Sequence, residues 1–189
     1  MKHAASRELY AYWDDLRGRR PAPERAEIEP RAIRQILSEA FILALDHTAG
    51  FPFRLAGTRI CALFGRELKG ESFIGLWAAA SQTTICDLLA ILQDERVGTV
   101  AGVSGQNADG DPIDLELLLL PLAASRPSLA RTIGILAPLQ NPPWLGSSPV
   151  GALSLGGRRH IGASLESRLL PRFMAPRRRH LVVHEGGRA

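Results

Sequence analysis

The chain of 189 residues has only two cysteines, Cys61 and Cys86. Their separation fits no metal-ligand spacing, and each sits in an apolar stretch, as small buried or half-buried thiols do. Long hydrophobic runs are missing too. The longest, Leu117 to Ala124, is interrupted by Pro121 and falls far short of the roughly 20 residues a membrane helix needs. Charges between Met1 and Glu8 precede any apolar stretch, so no signal peptide is expected and cytoplasm is the expected compartment. Catalytic motifs are also lacking. Ser104-Gly105 does not complete a G-x-S-x-G elbow, and Gly98, Gly102 and Gly105 do not form a phosphate loop opening a helix. No nucleophile–base pair or pair of carboxylates stands out, so the chain is not expected to be an enzyme. Asp109, Asp111, Asp114 and Glu116 surround a turn and are expected to solvate it, with no metal bound.

What is present is unevenly distributed. The net charge of +4 hides a basic tail. From Gly156 onward there are eight arginines against Glu166 and Glu185, so residues 1–155 carry a slight negative excess. That tail lacks interleaved aromatics, and nucleic acid is not the expected partner.

The periodicity predicts a helix over Ser6 to Arg19, with Leu9, Tyr12, Trp13 and Leu16 on one face and Gly18 near its end. Glu29-Pro30 predicts a second helix, with Ile33, Ile36 and Leu37 on its apolar side. Phe41 to Leu45 and the alternating Phe51 to Thr58 predict an antiparallel hairpin. Short helical pieces near 59–64 and 73–77 and a longer helix over 79–95 follow. Strands are predicted over 97–104, 113–122 and 132–137, the first two joined by an Asp109-Gly110 turn. In the middle one, Ile113, Leu115, Leu117 and Leu119 face inward, while Leu118 and Leu120 place apolar groups on the outer face as well. The fold class is α+β, a five-stranded antiparallel sheet with short helices on one face and an amphipathic helix in front. We expect a helical extension over 1–40, a core over 41–140 and a basic tail over 141–189, unstructured from about Ser147.

The segment from Phe53 to Trp77 resembles a bacterial PAS family typical of alphaproteobacteria, made of single-domain PAS proteins. The resemblance rests on Gly57-Thr58, then Gly65-Arg66-Glu67-Leu68 with Gly70, then Phe73, Leu76 and Trp77. Tyr12-Trp13 before a proline-rich turn and the Leu-Pro-Leu near residue 120 agree with it. It covers about residues 6–140 and implies a PAS fold, while leaving the ligand open.

The resemblance implies a sensory or signalling role through protein–protein contact in bacterial regulation. Phe53, Leu55, Phe64, Phe73, Trp77, Ile85, Leu89 and Leu117 either line a small apolar pocket or fill a solid core. A pocket would make the chain a small-molecule sensor whose ligand gates partner binding, and a filled core would make it an interaction module. No cofactor is named by the residues. His47 lies in a turn and His3, His160, His180 and His184 near the termini, away from where haem-binding relatives place their ligand. The motif around the reactive cysteine of light-sensing relatives is missing. Leu9, Tyr12, Trp13, Leu16, Leu118 and Leu120 are the expected contact of a homodimer. No output domain fits the remaining residues, so a regulatory protein partner is expected to act in trans.

Overall fold

A computed structural model describes residues 1–124 and 130–161. Helix α1 (Ala4–Arg17) is followed by strands β1 (Ala40–Ala44) and β2 (Phe53–Ala56). Helices α2 (Thr58–Phe64) and α3 (Ala79–Glu95) come next. Strands β3 (Gly98–Gln106), β4 (Pro112–Leu122), β5 (Arg131–Pro138) and β6 (Ser154–Ile161) complete the described chain. All neighbours in the sheet pair antiparallel, in the order β2-β1-β5-β4-β3-β6.

β4 organises two cores. Its Ile113, Leu115, Leu117 and Leu119 face α2, α3 and the 3₁₀ turn Ile74–Leu76. Leu118, Leu120 and Leu122 face the other way, with Ile133 and Ile135 of β5 beside them. That second apolar face cannot be left in water, at roughly 25 cal/mol per Å². α1 covers it with Leu9 and Trp13, helped by Ile28, Ile33 and Ile36 from the segment that leads to β1. The Trp13 indole N–H donates to the Pro121 carbonyl at 2.8 Å, and the Arg17 guanidinium lies over its ring, 4.8 Å from the centroid. α1 stops at Gly18, whose φ of 53° takes the chain out of the helix.

Two sequence expectations need correction. The segment after Pro30 is a run of turns ending in the 3₁₀ piece Leu37–Glu39, not an α-helix. Its N–H groups bond three residues back, Ala32 to Glu29, Ile36 to Ile33 and Glu39 to Ile36. The i, i+3 spacing of Ile33 and Ile36 suits such turns and still buries both. The second correction is the sheet itself. It has six strands, because Ser154–Ile161, assigned to the unstructured tail, pairs with β3. Leu155, Gly156, Gly157, Arg158, Arg159 and His160 show no alternation, so no periodic signal marks β6; it exists because the β3 edge offers a ladder. The expectation of an unstructured chain from about Ser147 fails for residues 147–153 as well, because Val150 and Leu153 are buried in the helical-side core; residues 162–189 lie outside the described residues.

Gly57 shows why the chain needs a bare backbone at one crossing. A Cβ there would meet the carbonyl oxygens of Leu37 and Ser38 at 2.3 Å. The Gly57 N–H donates to the Ala40 carbonyl, which locks the entry of α2 against the start of β1. Among the described residues, no helix is long and apolar enough to cross a membrane.

Trp13→Ala is expected to cost about 3–5 kcal/mol of stability, because it empties the centre of the outer core. Trp13→Phe is expected to cost less, mainly the bond to Pro121, about 1–3 kcal/mol. Urea unfolding of the two variants checks the order. Equal losses would mean that packing contributes nothing beyond the hydrogen bond.

Candidate functional site

The expected pocket residues separate into seven that meet and one that does not. Phe53, Phe64, Phe73, Trp77, Ile85, Leu89 and Leu117 are all buried in one cluster under the helical face of the sheet. Phe73 is its hub, with ring centroids 5.6 Å from Phe41 and from Phe53 and 5.7 Å from Trp77. Leu55 does not join them. It is 39% exposed on β2; the bulge between Ile42 and Leu43 shifts the hairpin register. The Trp77 indole Nε1 is buried with no hydrogen-bond acceptor among the described residues.

The expected dimer residues are placed as follows. Leu9, Trp13, Leu118 and Leu120 are buried against one another within a single chain, while Tyr12 and Leu16 are half-buried at the border of the same cluster. The Tyr12 hydroxyl donates to the Glu27 carbonyl and accepts from the Glu29 N–H at 2.8 Å, which ties α1 to the segment after it. A homodimer through these residues therefore requires α1 to leave its own sheet.

Sequence reasoning placed Glu116 in a solvated acidic turn. The structure buries it on the outer face of β4, 5% exposed. Its Oε2 accepts from the Lys2 N–H at 2.6 Å and its Oε1 from the His3 N–H at 3.0 Å. Burial pushes this carboxyl up, but the backbone N–H groups of Lys2 and His3, with the N-terminal ammonium nearby, help to outweigh it, and the net shift is downward. The carboxylate thus fastens the start of α1 to the sheet, where the helix's positive end also favours an anion. No periodicity could have marked it, since alternation assigns Glu116 to the outer face without saying that the outer face is covered. The other acids do surround a turn: the Asn107 side chain holds Asp109 and Asp111 in place, and Asp114 is exposed.

His3 was read as a terminal histidine. Its Nδ1 accepts from the Ala5 N–H at 3.2 Å and so caps α1. His47 is exposed, its ring edge-on to Phe51 at 4.6 Å. His160 lies on β6 beside Thr99, 3.0 Å from its hydroxyl. His180 and His184 fall outside the described residues. Both cysteines are half-buried. Burial raises the Cys61 thiol above its usual range, so it stays protonated at neutral pH.

Several clefts open at the surface among the described residues. One, about 380 Å³, runs between the start of α1 and β6, with Glu116, Arg158 and Arg159 in its walls. A second, about 470 Å³, opens between α2, the end of β5 and the 139–146 loop. Leu63, Leu136, Leu139 and Leu145 line it, with Glu39 and Arg59 at one side.

A family model described as PAS domain matches residues 1–137. No curated protein matches the chain. Among solved structures, the Rhodobacter sphaeroides LOV protein is similar at 16% identity and a TM-score of 0.43, over 57% of this chain and 66% of that one. The blue-light photoreceptor Aureochrome1 LOV, in its dark structure, is similar at 14% identity and a TM-score of 0.44, over 59% of this chain and 82% of that one. An RNA-binding Light-Oxygen-Voltage receptor gives 13% identity and a TM-score of 0.43, over 66% of this chain and 36% of that one. Likenesses of this strength carry nothing over to this chain.

Linkage gives Glu116 a defined effect on stability. Its carboxyl is lower in the folded chain than in the unfolded one, so its contribution is full above the ordinary glutamate range and is lost as pH falls through the lowered value. Glu116→Gln is expected to lower stability at neutral pH and to flatten the acid limb of the stability curve. Chemical denaturation from neutral to acid pH measures both. Parallel acid limbs would show that Glu116 does not hold α1 through its charge.

Proposed function

The chain belongs to the PAS domain family, and from that premise we propose that it is a signalling module of bacterial regulation that binds a protein partner in trans and carries out no chemistry itself. The observation that carries this reading is where pairing capacity remains. The inner sheet face is packed by helices and the outer face by α1. The outer edge of β2 is short and is engaged at its first residue, where Phe53 N–H donates to the Glu71 carbonyl and Gly70 N–H donates to the Phe53 carbonyl. The outer edge of β6 has no strand beside it among the described residues.

An open strand edge is a template for another strand. β6 marks the chemistry of that strand. Arg158 and Arg159 are both exposed and, as neighbours in a strand, point to opposite faces of the sheet. Self-pairing centred on this pair would set like charges together, which is unfavourable. An extended acidic segment of a regulatory protein gains main-chain bonds and a cation on each face, so it is the occupant in this reading. A homodimer is compatible with it as an exchange of α1 between two copies.

One observation favours a second reading, a small-molecule sensor whose ligand gates the partner. The unpaired Trp77 indole N–H would be satisfied by an acceptor on a ligand within the helical-side core.

The first reading is tested by titrating the isotope-labelled full chain with an eight-residue peptide of alternating Glu and Val. Amide shifts confined to β6 and β3, lost in the double variant Arg158→Glu/Arg159→Glu, are expected. Shifts elsewhere, or none, would overturn it. Native mass spectrometry tests the second. Extra mass that leaves on denaturation is expected if a ligand occupies the core, and bare polypeptide alone counts against it.

A further inference from the structure

The cleft between α2, the end of β5 and the 139–146 loop combines features that neither reading uses. Its volume, about 470 Å³, lies in the range of small-molecule sites, typically ~300–1,000 Å³. Its wall is part aliphatic and part polar. Leu63 and Leu136 are buried at its floor, and Leu139 and Leu145 stand half-buried at its rim.

Its polar lining comprises His3, Asn141, Glu39 and Arg59, and the last two form an ion pair that is incompletely used. The Glu39 side chain is 7% exposed, and its Oε1 accepts from an Arg59 Nη at 2.6 Å. Its Oε2 accepts no hydrogen bond among the described residues. His3 Nδ1 lies 3.9 Å from it and already accepts from the Ala5 N–H. Glu39 lies on the wall of the cleft with this oxygen left for a further donor. Arg59 is the complement. Its side chain is 71% exposed, and only one of its nitrogens is engaged by Glu39. The remaining guanidinium N–H groups form a fork suited to a carboxylate.

We propose that this cleft binds a small zwitterion with an apolar body, of the class of the aliphatic and aromatic α-amino acids. The ammonium donates to Glu39 Oε2, the carboxylate accepts from the free N–H groups of Arg59, and the side chain lies on Leu63, Leu136, Leu139 and Leu145. The two ligand charges are separated by one carbon, which matches two protein charges that already touch. A ligand with only one charge would leave either Oε2 or the guanidinium fork without its partner. The site opens at the surface over Leu63 and Leu136 of the helical-side core, away from the β6 edge, and it does not depend on the partner reading.

The test is calorimetric titration of the full chain with L-leucine and L-phenylalanine, beside 4-methylpentanoate, which lacks the ammonium, and 3-methylbutylamine, which lacks the carboxylate. The expected result is binding of at least one amino acid, with each single-charge analogue weaker by tenfold or more. Arg59→Met, at an exposed side chain, is expected to leave the fold intact by circular dichroism and to weaken the amino acid by at least tenfold. Leu145→Glu, at the rim, is expected to weaken it as well. Absence of binding by both amino acids, equal binding of the analogues, or affinity unchanged in Arg59→Met would each overturn the proposal.

Discussion

The structure depends on one feature of β4: it is apolar on both faces. Leu115, Leu117 and Leu119 require cover on one side, and Leu118, Leu120 and Leu122 require it on the other. A central strand of this kind cannot stop at a two-layer arrangement of sheet and helices. Its outer face has to bury itself against another element, and α1 with the 28–36 segment is what the same chain supplies. The bond from Trp13 to the Pro121 carbonyl then fixes where on β4 the helix lies.

Electrostatics completes what apolar burial begins. Glu116 is a carboxylate buried on the covered face, and it is tolerable there because it accepts hydrogen bonds from two backbone N–H groups at the start of α1. His3, one of those donors, caps the helix with its ring and stands beside Glu39 at the edge of the second cleft. The beginning of α1 is therefore the point where the outer core, the sheet carboxylate and the cleft meet. Taken with the proposed amino-acid site, this places a ligand close to the contacts that hold α1 down.

Legibility in the sequence followed the range of the interaction. The order of α1, β1, β2, α2, α3, β3, β4 and β5, the two apolar faces of β4, the helix over 79–95 and the seven residues of the helical-side core were readable, because each rests on spacing within one element. The Leu55 exposure was not, because it depends on a bulge in the pairing of β1 with β2. The turns around Ile33 and Ile36 were mistaken for a helix because i, i+3 spacing serves both. β6 was missed because Gly156, Gly157, Arg158 and Arg159 hold no pattern of their own. The Glu39–Arg59 pair joins residues 20 apart in the chain, and no local motif marks it.

By itself, then, the sequence determined the α+β class, the family resemblance between Phe53 and Trp77, and the need to cover both faces of the sheet. Periodic burial is a local property, written in side chains two, three or four residues apart. Only the tertiary structure decided that α1 covers its own sheet within one chain, that Glu116 is a buried latch, that the sheet has a sixth strand, and that a charged pair lines an aliphatic cleft. Each of these joins groups distant in the chain, and each is settled by which surfaces meet once the strands have paired.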